Sequence, residues 1–126
     1  MIKPNFFIIG AAKSGTTSLA AYLGQHNRIF MCDPKEPFYF NTDMSWRGVQ
    51  SEKQYLRLFE RADENHIAIG EASTCYLYSE VAAHNILKFC PEAKFIAIVR
   101  NPIDMAYALH SELVWNGQEN LTNFEE

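Results

Sequence analysis

The sequence is poor in cysteine: only Cys32, Cys75 and Cys90, widely spaced and without a CxxC pair. So few and so scattered, they argue against a disulfide framework or a thiolate metal site. They read as small buried residues in a reducing, cytoplasmic setting. Long hydrophobic runs are missing as well. The first apolar run, Phe6 to Ile9, is too short for a signal peptide and leads straight into a glycine turn. No run approaches the roughly 18 apolar residues of a membrane span. Positive charge is scarce: 11 Lys and Arg stand against 15 Asp and Glu, a net charge of −4. That argues against a general nucleic-acid or anionic-membrane binder, which carries a basic excess. Any anionic ligand must be met by a few local cations. His26, His66, His84 and His110 form no metal-ligand or triad pattern, and no repeat, linker or low-complexity run interrupts the chain. What remains is ordinary: 126 residues, 48% apolar and 21% charged, enough for one domain with a real core.

The pattern alternates strand and helix. "NFFIIG" is a continuous apolar run, as a strand covered on both faces would be. A helix follows from Thr16, with Leu19 and Leu23 four apart on one face and Tyr22 beside them. "NRIFMC" reads as a short strand, and "DPKEPFYF" as an ordered loop stiffened by Pro34 and Pro37. Ser51 and Gln54 make a capping box, followed by the apolar stripe Tyr55, Leu58 and Phe59. "HIAIGEAS" is strand then loop. "SEVAAHNILKFC" is a helix capped by Ser79, and "AKFIAIV" is a further strand. Asn101 and Pro102 then open a helix in the favoured order. Ile103, Ala106, Tyr107, His110 and Leu113 continue it at helical spacing. This predicts an α/β fold with a central parallel sheet flanked by helices in three layers. Ligands of such sheets bind at the carboxyl ends of the strands. "GAAKSGTTS", "GEASTCY" and "RNP" all fall there. A sheet of three or four strands is small for this architecture. The expectation is therefore one α/β domain over residues 1–126, incomplete at its C-terminus.

The loop "GAAKSGTTS" has the glycines of a nucleotide P-loop, GxxxxGK[ST], at Gly10 and Gly15. Thr16 stands where the lysine belongs, and Lys13 lies three residues earlier. A glycine turn opening a helix offers backbone N–H groups and the positive end of the helix dipole. Thr16, Thr17 and Ser18 add hydroxyls. In an ATP or GTP site the Ser/Thr hydroxyl holds magnesium. Here no acidic residue ends the later strand; "FIAIV" runs into Arg100. The site reads as an anion cradle without a metal.

These residues carry a resemblance. "KSGTTSL" after an apolar strand resembles the 5′-phosphosulfate loop of sulfotransferases that use PAPS, 3′-phosphoadenosine 5′-phosphosulfate. "FIAIVRNPIDMAYA" resembles their 3′-phosphate motif. "PKEPFYF" is similar to the lysine–glutamate segment of the heparan-sulfate and related bacterial branch. The three run in the family order and cover nearly the whole chain, and the P-loop-like family fold agrees with the alternating pattern. The resemblance implies PAPS as sulfuryl donor, no metal, and a hydroxyl or amine of a small-molecule or glycan acceptor.

Residue by residue, Lys13 would stabilise the leaving group, since charge develops on the bridging oxygen. Ser14, Gly15, Thr16, Thr17 and Ser18 would bind the 5′-phosphosulfate. Arg100, a bidentate donor at a strand end, would take the 3′-phosphate. The family's serine eight residues on is Ala108 here. Glu36 is the candidate general base; the histidine often found two residues later is Phe38. Lys35, Glu71 and Ser73 are candidates to face the acceptor. Two other readings stand beside this one: a P-loop nucleotide kinase or NTPase, disfavoured by Thr16, and a non-catalytic phosphoadenosine-nucleotide-binding protein.

Overall fold

A computed structural model describes residues 2–125. Four strands form one parallel sheet: β1 (Phe6–Gly10), β2 (Ile29–Met31), β3 (Ala68–Ala72) and β4 (Lys94–Ala97), in the order β2-β3-β1-β4. Four helices connect or follow them: α1 (Thr16–Leu23), α2 (Glu52–Arg57), α3 (Ala82–Phe89) and α4 (Pro102–Trp115). A 3₁₀ turn, Thr74–Leu77, leaves β3. The chain crosses from β1 to one side to make β2 and β3, then to the other side to make β4. The carboxyl end of β1 therefore lies where the winding reverses, the position at which open α/β sheets hold ligands.

The apolar run of β1 is covered on both faces, as its composition predicts. Phe7 points into a cluster with Phe40, Tyr55, Phe59, Tyr76 and Ile86. Phe6 and Ile8 point the other way, onto Leu19 and Leu23 of α1. Tyr22, read beside those leucines, is exposed instead. The Ser51 cap forms, its side chain accepting from the Gln54 N–H at 3.3 Å. Ser79 is not the cap that its residue type suggests: α3 starts at Ala82 with Val81 as its N-cap, and the Ser79 hydroxyl, two residues earlier, accepts from Ala82 N at 3.0 Å and donates to Asp43 at 2.6 Å. Asn101 caps α4, accepting from Ile103 N at 2.9 Å.

The last unit departs from expectation. The apolar spacing of α4 implies a buried stripe, yet this helix has no buried residue. Ile103 is 72% exposed and Trp115 89%. β4 is an edge strand with no neighbour beyond it among the described residues.

Candidate active site

The turn after β1 contains two glycines with different work. Gly10 has φ +151°, and a Cβ there would stand 2.9 Å from Cβ of Leu77. Its bareness admits the 3₁₀ turn, rather than a ligand as the sequence suggests. Gly15 has φ +90°, and a Cβ there would meet nothing within 4 Å. It is the N-cap of α1 and no side chain caps that end. The first-turn N–H groups, with the positive end of the helix, therefore face open space.

Four charged side chains meet at this opening in two ion pairs. Lys13, itself at φ +55°, places Nζ 3.3 Å from Oε2 of Glu112 on α4. Lys35 Nζ lies 3.2 Å from Oε1 of Glu36 and donates to Thr17 Oγ1 at 2.8 Å. Glu36 is held further by Thr74, whose N–H donates at 3.2 Å and whose hydroxyl donates at 3.3 Å. Lys13, Thr16, Thr17, Lys35, Glu36 and Glu112 line a cavity of about 400 Å³. A larger hollow of about 520 Å³ beside Lys3, Arg47 and Lys88 contains none of them. Glu52, at the start of α2, is its one carboxylate, whereas the smaller cavity gathers the glycine turn, the start of α1 and both lysine–glutamate pairs.

The remaining candidates fall around this cavity, not in it. Arg100 donates from its guanidinium to the Lys13 carbonyl at 2.9 Å and so braces the loop. Ser14 turns its hydroxyl back to the Ala12 carbonyl at 3.2 Å, and Ser18 is exposed on α1. Glu71 and Ser73, read as facing an acceptor, are both 0% exposed. They lie inside the molecule, where no acceptor reaches them. Glu71 accepts from the hydroxyls of Tyr55 at 2.7 Å, Ser73 at 2.7 Å and Tyr76 at 3.0 Å. Burial pushes its carboxyl up to about 7, although those three hydrogen bonds pull it down and Glu36 adds a smaller upward push. Burial also pushes the Cys75 thiol up to about 12, and raises Cys32, which keeps both as neutral packing groups. All three cysteines are free thiols. Among the described residues no group of three or more His, Cys, Asp or Glu stands together as metal ligands.

Sequence reasoning missed Glu112 and Thr74. Thr74 was visible as the residue after "GEAS", at a strand end. Glu112 left no signal, because an acidic residue on an exposed helix turn is ordinary.

No family model matches the chain. It is 34% identical over 117 residues to the membrane-associated sulfotransferase kil1 of Dictyostelium discoideum, covering 89% of this chain and 24% of that protein. It is 30% identical over 110 residues to human bifunctional heparan sulfate N-deacetylase/N-sulfotransferase 3, covering 83% of this chain and 12% of that protein. A crystal structure of a sulfotransferase from Alicyclobacillus acidocaldarius superimposes with a TM-score of 0.92 at 36% identity, over 99% of this chain and 55% of that one. The chain belongs to the sulfotransferase family, and it spans about a quarter or less of these curated relatives and about half of the solved neighbour.

Proposed function

We propose that this chain carries the donor loop and general base of a PAPS-dependent sulfotransferase, acting on a hydroxyl or amine of a small-molecule or glycan acceptor. One observation carries the reading: Lys13, the uncapped start of α1 and the Lys35–Glu36 pair border the same cavity. Bound there, PAPS supplies an activated sulfuryl group. The residues fit its anionic end, because Gly15 leaves the approach to the α1 N–H groups open and two lysines stand beside it. Lys13 sets a cation where negative charge would develop on the leaving oxygen. Thr16 and Thr17 offer hydroxyls, and Arg100 sits against the same loop with further N–H groups for a 3′-phosphate. Glu36, fixed by Thr74 and open to the cavity, accepts the proton of the acceptor. The glycan option draws support from the heparan sulfate relatives. The proposal includes further residues that complete the domain against α4, and a cytoplasmic location consistent with three free thiols.

Thermal shifts test it. Adenosine 3′,5′-bisphosphate should raise the melting temperature equally with and without EDTA. At about 100 times its dissociation constant a ligand adds roughly 2.7 kcal/mol, a readily seen shift. A response to ATP with magnesium alone would instead support a nucleotide kinase. In a protein that turns over, Lys13→Ala should slow transfer about 100-fold or more. An unchanged rate removes Lys13 from the chemistry.

A further inference from the structure

Residues 36–40 carry the candidate base yet belong to no strand or helix. Glu36 and Phe38 sit at φ +64° and +47°, left-handed conformations that non-glycine residues avoid. Something outside the segment must hold them there. Its backbone N–H groups identify what does. Glu36 N donates to the Ala72 carbonyl at 2.8 Å. Phe38 N donates to Ser73 Oγ at 3.2 Å, and Tyr39 N and Phe40 N donate to the Tyr76 hydroxyl at 3.0 and 3.4 Å. The Ser73 and Tyr76 hydroxyls each donate a hydrogen bond to Glu71. The third donor to Glu71, Tyr55, stacks its ring on Tyr39 at 4.6 Å and 17°. Every group bonded to Glu71 thus also touches segment 38–40.

We infer that Glu71 is the positioning residue of this site: from inside the core it orients the hydroxyls of Ser73 and Tyr76 so that their lone pairs hold the segment bearing Glu36. Ionised, as it is above about pH 7, the carboxylate suits this task because it only accepts. It draws both hydroxyl protons inward and leaves their oxygens free for the segment's N–H groups. A glutamine would donate from one arm and reverse a hydroxyl. A buried carboxylate with no cation beside it is also a poor device for stability alone, where well-packed apolar side chains serve as well or better. The link to catalysis rests on the sulfotransferase reading; the clamp itself does not.

Three variants test it by amide hydrogen exchange and by calorimetric binding of adenosine 3′,5′-bisphosphate. Glu71→Gln should speed exchange of Phe38, Tyr39 and Phe40 at least tenfold and leave Phe7 and Ile8 of β1 unchanged. Nucleotide affinity should stay within twofold, because the donor loop is held separately. Ser73→Ala should free Phe38 alone, and Tyr76→Phe should free Tyr39 and Phe40 alone. These two decide the matter if Glu71→Gln does not fold. In a protein that turns over, Glu71→Gln should lower kcat at least 30-fold with the donor KM unchanged. Unaltered exchange at 38–40, or equal acceleration in β1, overturns the inference. If the wild-type protein neither binds the nucleotide nor transfers a sulfuryl group while the exchange pattern holds, the sulfotransferase reading falls and the clamp stands.

Discussion

Lys13 and Glu112 form an ion pair, and an anion entering the cavity would compete with Glu112 for the one ammonium group. Both side chains are more than a third exposed, so the pair is worth about 0.2–1 kcal/mol. Glu112→Gln should therefore tighten adenosine 3′,5′-bisphosphate by about two- to fivefold, with the gain shrinking as salt rises. Calorimetric titration at two ionic strengths checks this, and an unchanged or weaker affinity removes Glu112 from the site. Lys13 is legible in the sequence because its meaning comes from its immediate neighbours, the glycines and hydroxyls of one turn. Glu112 is not, because almost the whole chain separates it from Lys13 and only the placement of α4 joins them. Glu71 was legible as a strand-end carboxylate but not as a buried one: its direction depends on the side chains around it. Its titration gives a second prediction. A glutamate titrates near 4.5 in the unfolded chain and here near 7. Between those values the folded state keeps a proton that the unfolded state releases, so stability falls as pH rises. The fall amounts to about 3 kcal/mol, at about 1.4 kcal/mol per unit. Chemical denaturation from pH 5 to 8 should show Glu71→Gln gaining on the wild type by that order; parallel curves would refute the assignment.

Strands and helices were legible because each carries its own period. β1 reads as doubly covered because Phe6 to Ile9 are all apolar, and the Ser51 and Asn101 caps read directly from their residue types. What the pattern could not give was the work of each turn. The two glycines of the loop after β1 look equivalent in sequence, yet one admits Leu77 and the other faces open space. Substituting alanine should separate them. Gly10→Ala sets a methyl group against Leu77 in a strained backbone and should cost about 1–3 kcal/mol of stability. Gly15→Ala meets no neighbour and should cost only the left-handed backbone, about 1–2 kcal/mol, but it should weaken nucleotide binding more than Gly10→Ala does. Denaturant midpoints and calorimetry together decide this. Comparable losses of affinity in the two variants would mean that Gly15 does not open the approach to α1.

At the scale of the whole molecule, the sheet divides into a half that is fully packed and a half that is not. β1 and β3 are buried between α1 on one side and α2, α3 and the 3₁₀ turn on the other. The connection after β4 presents Val99 to solvent instead, and α4 presents Ile103, Tyr107 and Trp115. The chain also covers only 55% of its solved neighbour. The apolar spacing of α4 was legible, but whether a partner surface lies against it is set outside the periodicity of one helix. An exposed apolar face of this kind marks an interaction surface. Burying one isoleucine is worth about 1.5–3 kcal/mol, whereas exposed positions usually change stability by less than about 0.5 kcal/mol. Replacing Ile103 and Tyr107 together by Asn and Ser should thus leave the denaturation midpoint of this chain nearly unchanged. It should also lower concentration-dependent self-association in sedimentation and reduce binding of a hydrophobic dye. A loss above about 2 kcal/mol would mean that α4 packs onto the sheet in solution, and that the face it presents here is part of the core.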